Sequence, residues 1–382
     1  MKKLIIRIFN LKEKYLYLLI VLSFFIIALY HLNSGYYMSS DSRTFSGLAD
    51  NLIKSNFNIF DFSVRVPTFF ITIPVSLIAI CKIIFIDKWQ HAFLFLNLTF
   101  LFFSMIFFAK TLLIVKVRSF LIFISLPLIF ASVDVLTWPR YILSDMNYAF
   151  LVILITYFVT KGIVENKLNY LLIFLILFLI LITRPSSISI IFAIVLFIII
   201  SKHELFLKPK IILISLFILF ILVPLVFGLL YYLIESNFSE NTQLDWWLLS
   251  KVKIGMIIHD RPETWVNTPN NFKDVVYIYF LRLVNFFNPY AATFSIMHNF
   301  LNIVQILLIS LSISIWLFFG GHTRNQDKLF FFILLLSFSV ASFHTFTLID
   351  YDWRYRFPII LPLIMLFPIS IEMILKRSLK SN

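Results

Sequence analysis

The chain has 382 residues, of which 61% are hydrophobic and only 13% charged, with a formal net charge of +13. Apolar runs of about 18 residues or more recur along its whole length, and each could cross a hydrocarbon core of ~30 Å. They leave no room for a separate soluble domain, and they differ from the short alternating segments of a β-barrel. Cys81 is the only cysteine, which excludes an internal disulfide and a thiolate metal cluster.

The apolar runs predict an all-α polytopic membrane protein with about ten transmembrane helices. The first run follows a basic N-terminus, but it is too long for a signal peptide and lacks a small-residue cleavage site. It is therefore predicted to be a retained span. Because no internal repeat or linker is visible, residues 1–382 are predicted to form one transmembrane domain. In chain order the predicted spans are 15–32, 90–113, 119–136, 144–160, 169–184, 186–201, 211–233, 299–319, 328–348 and 357–375.

The distribution of charge predicts the orientation of these spans. With both termini in the cytoplasm, 18 of the 32 basic residues but only five of the 19 acidic residues lie on the inner side. The whole net charge then falls on short cytoplasmic turns, as the positive-inside rule requires. The basic balance therefore indicates orientation in a bacterial inner membrane, not a nucleic-acid partner. The two long connections, 33–89 and 234–298, face the periplasm or the cell exterior.

The first outer connection is predicted to hold two juxtamembrane elements. One is an amphipathic helix on the membrane face. The other is 67–86, which is long enough to span but would move the basic turns outside if it did. We therefore interpret it as a re-entrant or interfacial segment, and we interpret 275–290 in the same way. The apolar stripe of the amphipathic helix consists of Phe45, Leu48, Ala49, Leu52 and Ile53.

Four polar clusters follow or precede spans on the outer side. They are "SSDS" with Asp41, "TWPRYILSDMNY" with Arg140 and Asp145, "TRPSS" with Arg184, and "IDYDWRYRFP" with Arg354 and Arg356. Ionisable groups at membrane depth are costly and mark functional sites by default. Each cluster also has a structural interpretation, as a helix cap or as an anchor for lipid headgroups.

Taken together, the clusters indicate chemistry on an activated phosphate ester. A carboxylate beside a hydroxyl substrate can act as a general base. Arginines bind phosphate through a planar fork. An outer site with one base and several arginines therefore fits attack by an alcohol on such an ester.

The motifs and their order resemble the integral-membrane GT-C glycosyltransferases, particularly the protein mannosyltransferase-like and aminoarabinose transferase-like branches. The stretches that carry the resemblance are "SSDSRTFSGLADNLIKSNF", "LSDMNYAFLVILITYF", "LITRPSSISIIF" and "DWRYRFPIILPLIML". The resemblance implies a GT-C-like helical bundle and a polyprenyl-phosphate sugar donor used on the outer face, with no further cofactor. In that family the first loop often carries two adjacent acids, whereas Asp41 stands between serines.

The resemblance also implies roles for individual residues. Asp41 matches the proposed base, and Asp145 matches an acid that shapes the acceptor or donor site. The expected contacts of the donor phosphate are Arg184, Arg354, Arg356 and Arg140. Acceptor recognition is assigned to the unmatched 234–298 connection, with Trp246, His259 and Arg261. No metal site is assigned, although a divalent ion held by Asp41, Asp145 and Asp352 is an alternative.

Two other functions compete with this one. An envelope polysaccharide polymerase has about as many spans, large outer loops and essential arginines, but would use a diphosphate-linked repeat unit. A flippase for a lipid-linked sugar would show symmetric halves and glycine-rich broken helices, whereas the chain has seven glycines. The expected partners are the lipid-linked donor, membrane lipids, and an envelope lipid, glycan or protein as acceptor.

Overall fold

The computed structural model describes residues 12–58, 66–202, 254–258, 261–319, 323–346 and 353–380. Within these residues the chain is all-helical, and the one strand-like pairing is an isolated bridge between Tyr37 and Tyr141. The all-α prediction is therefore confirmed for this part of the chain. The predicted span 211–233 and the residues Trp246, His259 and Asp352 lie outside the described residues.

The described residues form fourteen α-helices that follow the apolar runs of the sequence. The first eight are α1 (Glu13–Ser34), α2 (Ser40–Lys54), α3 (Val66–Phe69), α4 (Thr72–Phe85), α5 (Trp89–Ile114), α6 (Ser119–Ala131), α7 (Val133–Thr137) and α8 (Asp145–Val164). The others are α9 (Tyr170–Leu181), α10 (Ser187–Lys202), α11 (Phe272–Phe286), α12 (Ile296–Phe319), α13 (Arg324–Phe346) and α14 (Phe357–Lys380). Short 3₁₀ turns cover Ile86–Lys88, Trp138–Arg140, Pro262–Thr264 and Trp353–Arg356.

Six helical stretches of the described chain are long and apolar enough to cross a membrane. They are Glu13–Ser34, Thr72–Ile114, Asp145–Val164, Ile296–Phe318, Arg324–Phe346 and Arg354–Arg377. A seventh results if α6 and the helical segment after it, which are bent by 61°, form one span. The chain is therefore a multi-pass membrane protein by length and composition, as predicted. The count of ten spans and the cytoplasmic position of both termini stay predictions.

Two predicted spans differ from the observed helices in shape or length. The single span predicted at 119–136 is interrupted at Ser132, where the backbone is extended (ψ 116°) and separates α6 from α7. The span predicted at 169–184 corresponds to α9, which has only 12 residues. The span predicted at 186–201 corresponds to α10, which has the predicted length of 16 residues. At 1.5 Å per residue α9 is ~18 Å long, which is less than the thickness of a hydrocarbon core.

The segment 67–86, predicted to be re-entrant or interfacial, contributes to α3 and forms α4. Ile86 has a φ of 39°, which ends α4 and interrupts the 43-residue stretch Thr72–Ile114. α4 has 14 residues, or ~21 Å at the helical rise. That length favours an element that does not cross the bilayer by itself.

The predicted amphipathic helix is present as α2, and its apolar stripe packs against α4. Ala49 and Leu52 are fully buried in one cluster with Val75 and Ile78. Burying a leucine side chain contributes about 1.5–3 kcal/mol. The stripe is thus covered by protein, and α2 is fixed beside α4.

The chain divides into two compact units. Unit 1 comprises Met1–Pro185, Leu307–Ile333 and Phe357–Asn382, and unit 2 comprises Ser186–Ile306 and Leu334–Arg356. Among the described site residues, unit 1 contains Asp41, Arg140, Asp145 and Arg184, and unit 2 contains Arg261, Arg354 and Arg356. The prediction of a single domain over 1–382 stays a prediction.

Candidate functional site

Two turns that are far apart in sequence meet at a backbone bridge in unit 1. Tyr37 N–H donates to the carbonyl oxygen of Arg140 (2.9 Å), and Ile142 N–H donates to that of Tyr37 (3.3 Å). The bridge is parallel, and the Tyr37 and Tyr141 rings lie 4.6 Å apart. Asp41 lies four residues after Tyr37, in the first turn of α2, and Asp145 lies four residues after Tyr141, in the first turn of α8. The predicted acids therefore belong to neighbouring segments.

Asp41 lies in a helix first turn that is capped by serines. Ser39 accepts from the Ser42 N–H and Ser42 accepts from the Ser39 N–H, both at 3.1 Å, which forms a capping box. The structure assigns the cap of this helix to Ser39. Asp41 is exposed, at a helix end whose dipole favours negative charge.

A charged contact adds to the apolar docking of α2. The Lys82 ammonium of α4 donates to the Asp50 carboxylate (2.7 Å) and to the carbonyl oxygen of Ser46 (3.0 Å). It also lies 5.0 Å from the centre of the Trp89 ring. These contacts and the apolar cluster hold the helix that carries Asp41.

Asp145 and Arg184 form a buried ion pair. Arg184 Nη1 lies 2.5 Å from Asp145 Oδ1, and the two residues are 5% and 1% exposed. The guanidinium is also 5.8 Å from the Tyr148 ring centre. Ser144, the N-cap residue of α8, makes no side-chain cap hydrogen bond. Asp145 thus pairs with Arg184. The structural interpretations of these clusters, as a helix cap or as an anchor for lipid headgroups, did not predict this ion pair.

Arg184 lies in the hairpin between α9 and α10, and this hairpin brings its side chain to Asp145. The hairpin adjoins the start of α4, because the N–H of Ile73 donates to the carbonyl oxygen of Ile182 (3.1 Å). The first connection, the turn before α8 and the "TRP" hairpin are therefore joined within unit 1.

Arg140, predicted to bind the donor phosphate, contacts the end of α1. Its Nε donates to the carbonyl oxygen of Gly35 (2.9 Å) and its Nη2 to that of Ser34 (2.7 Å). The carbonyls at a helix C-terminus lack intrahelical partners and carry partial negative charge. These contacts give Arg140 the role of a helix cap, and its assignment to the phosphate stays a prediction.

In unit 2, Arg354 and Arg356 lie in the 3₁₀ turn before α14. Arg356 is 2% exposed, and its Nη1 donates to the carbonyl oxygen of Asn288 (3.3 Å). The Arg354 guanidinium is 5.8 Å from the Tyr355 ring centre. The Tyr355 ring is in turn 4.5 Å from the ring of His344. The late turn thus presents two arginines, one buried and one half-buried.

Arg282 and His344 are residues of this region that sequence reasoning missed. Arg282 donates to the carbonyl oxygens of Thr345 (2.9 Å), Ile257 (3.0 Å) and His344 (3.2 Å). The His344 ring stacks on Phe286 at 5.9 Å and 11°. The sequence does contain a signal for Arg282, because it is the single arginine in the apolar run 275–290. It stands at helical spacing from Ile278 and Phe286, which are both buried.

Of the residues assigned to acceptor recognition, Arg261 is the one described. It is buried, and its guanidinium is 5.6 Å from the Phe294 ring centre. The turn around it is tight: Val266 N–H donates to the carbonyl oxygen of Gly255 (3.0 Å). Gly255 has a φ of +75°, and a Cβ there would lie 2.0 Å from the carbonyl oxygen of Val266. Only glycine fits that position.

Among the described residues, no group of three or more His, Cys, Asp or Glu side chains is arranged to hold a metal ion. Asp352, one member of the alternative metal set, lies outside the described residues. A divalent ion shared by Asp41, Asp145 and Asp352 therefore stays an untested alternative.

No protein-family model, curated protein or solved structure matches the chain. The resemblance to GT-C glycosyltransferases therefore rests on the motifs and their order. What it implies about donor, acceptor and activity is a proposal for this chain.

Proposed function

We propose that the protein is a membrane glycosyltransferase that moves a sugar from a polyprenyl-phosphate donor to an envelope lipid, glycan or protein. In this proposal it works on the outer face of a bacterial inner membrane. The observation that carries the proposal is the bridge between Tyr37 and Tyr141. This bridge joins the segment that leads to the exposed Asp41 to the segment that leads to the buried Asp145–Arg184 pair.

In the proposed reaction Asp41 is the general base. The acceptor hydroxyl oxygen attacks the anomeric carbon of the donor, and its proton passes to the Asp41 carboxylate. The bond from the anomeric carbon to the phosphate oxygen breaks, and its electron pair stays on the phosphate, which remains on the lipid. Direct displacement of this kind inverts the anomeric configuration. Asp41 is exposed, which supports this role, whereas Asp145 is buried.

Arg184 is proposed to stabilise the leaving phosphate, with Asp145 as the residue that orients it. A guanidinium carries five N–H groups in a rigid fork, so one edge can hold a carboxylate while another binds phosphate. Burial strengthens such contacts because water does not screen them. Asp145 thus shapes the site without taking part in proton transfer.

Arg354 and Arg356 are proposed as further phosphate contacts. Two observations support this role. Two positive charges lie in one short turn, and the sequence of that turn resembles the "RYR-x-P" motif of the family. Arg356 is already oriented by the Asn288 carbonyl, so less side-chain freedom is lost on binding.

The test is sugar transfer by purified protein in detergent. Radiolabelled polyprenyl phosphates that carry single sugars serve as donors, and an envelope lipid and glycan extract serves as acceptor. We expect transfer by the natural protein and loss of transfer in Asp41→Ala, with Asp87→Asn as an exposed-acid control. Because detergent removes compartments, transfer there also distinguishes an enzyme from a flippase. Absence of transfer with every donor, or polymer ladders from a diphosphate-linked repeat unit, would contradict the proposal.

A further inference from the structure

α12 carries a row of amide side chains on its buried side. Asn299, Asn302 and Gln305 follow one another at intervals of three residues, and all are more than nine-tenths buried. Side chains at this spacing share a helix face. All three belong to unit 2 and to a helix that is apolar and long enough to cross a membrane.

The three amides differ in their partners. Asn299 accepts from the Ala291 N–H (3.0 Å) and donates to the Ala291 carbonyl oxygen (2.9 Å), so it holds the segment before α12. By contrast, Asn302 Nδ2 and both amide atoms of Gln305 have no hydrogen-bond partner in the described part of the chain. The row is thus structural at Asn299, whereas Asn302 and Gln305 each carry buried amide atoms that lack a partner among the described residues.

Unpaired amides are unfavourable at buried positions of a membrane helix. A buried donor or acceptor without a partner carries the full desolvation cost of its group. A hydrocarbon environment supplies no water to offset that cost. A leucine side chain would fill a similar volume without this desolvation cost. The two amides therefore indicate that a polar partner binds there.

We propose that Asn302 and Gln305 bind hydroxyl groups of the donor sugar, an inference that rests on the proposed glycosyltransferase function. An amide both donates and accepts, as a sugar hydroxyl does, so the two groups match in pairs. The amide row is neutral, which suits a neutral polyhydroxyl group better than a phosphate. The role proposed for it is therefore to bind the sugar, which is a separate role from binding the phosphate.

The experiment measures how much the sugar adds to donor affinity. Purified protein in detergent is titrated with polyprenyl phosphate alone and with polyprenyl phosphates that carry glucose, galactose, mannose or 4-amino-arabinose. We expect the natural protein to bind at least one sugar-bearing lipid more tightly than the sugar-free lipid. In Asn302→Leu and Gln305→Leu that preference should fall ~10-fold, with unchanged affinity for sugar-free polyprenyl phosphate.

Thermal unfolding separates this role from a structural one. Asn302→Leu and Gln305→Leu should keep or raise the melting temperature, because they remove unpaired groups. The matched control Asn299→Leu should lower it, because the Ala291 backbone loses both partners.

An unchanged sugar preference in both Leu variants would overturn the inference, as would a fall in their melting temperature as large as that of Asn299→Leu. A natural protein without sugar preference would overturn it as well. If the natural protein transfers sugar while the variants keep its preference, the inference fails alone. If it neither binds these lipids nor transfers sugar, the proposed function fails with it.

Discussion

Arg140 and Arg184 are two arginines of unit 1 that were predicted to lie at the outer ends of spans, and they make opposite kinds of contact. Arg140 donates to the last carbonyl oxygens of α1, whereas Arg184 pairs with the buried carboxylate of Asp145. The first contact completes a helix end, and the second holds a cation at a fixed buried position. An arginine near the end of a predicted span therefore indicates a functional site only once its partner is known.

Arg282 repeats the Arg140 arrangement in unit 2. It donates to the carbonyl oxygens of Thr345 and His344, near the C-terminal end of α13, and to that of Ile257. In the predicted orientation these helix ends face outward and expose their negative dipole ends. Part of the positive charge predicted on the outer side is thus explained by helix capping.

Breaking the Asp145–Arg184 pair is expected to have the largest effect. Removing one partner of a buried ion pair costs about 3–5 kcal/mol, because the other charge stays buried. Thermal unfolding in detergent should show a large fall in melting temperature for Arg184→Leu and for Asp145→Leu. Sugar transfer should be lost in both.

The double variant Asp145→Leu/Arg184→Leu separates stability from function. It leaves neither charge of the pair, so most of the lost stability should return. Transfer should stay lost, because the cation proposed to stabilise the leaving phosphate is missing. If the double variant recovers sugar transfer as well as stability, the pair is a structural contact and not part of the catalytic site.

Removing a capping arginine should have an intermediate effect. Arg140→Leu and Arg282→Leu each leave carbonyl oxygens without donors, at a cost of about 1–3 kcal/mol. The lysine variants keep the charge but lose the fork, so their melting temperatures should fall between those of the natural protein and the leucine variants. If Arg140→Leu instead keeps its melting temperature and loses affinity for polyprenyl phosphate, Arg140 belongs to the donor site.

The Lys82–Asp50 pair should have the smallest effect on stability, because the Asp50 side chain is 52% exposed. Such a pair contributes about 0–1 kcal/mol. Since it helps to hold the helix that carries Asp41, Lys82→Met should lower kcat while the KM for donor is kept, and Lys82→Arg should restore kcat. Equal kcat in Lys82→Met and the natural protein would show that the apolar face alone positions α2.

The helices could be predicted because their signals are local. The first apolar run predicted 15–32 for what is Glu13–Ser34, and apolar spacing alone located α2. The break at Ser132 was missed because the apolar run continues through it, with hydrophobic residues on both sides. The short length of α9 was missed because hydropathy does not show where a helix ends.

The candidate site could be predicted only as a list of residues. Asp145 and Arg184 were each identified, but their pairing depends on how α8 meets the hairpin after α9, which no local pattern encodes. Arg140 looks like a site residue in sequence because its carbonyl partners, at the end of α1, are known only from the structure. The spacing of the amides of α12 is visible in the sequence, but their burial and missing partners are visible only in the folded chain.

The most direct test of the central claim compares kcat for sugar transfer with the donor Kd in Asp41→Asn, with Asp87→Asn prepared in parallel. Loss of a general base should lower kcat by ~100-fold or more, while the donor still binds and the melting temperature is kept. The Asp87→Asn control should match the natural protein. A near-normal kcat in folded Asp41→Asn would contradict the assignment of Asp41 as the base.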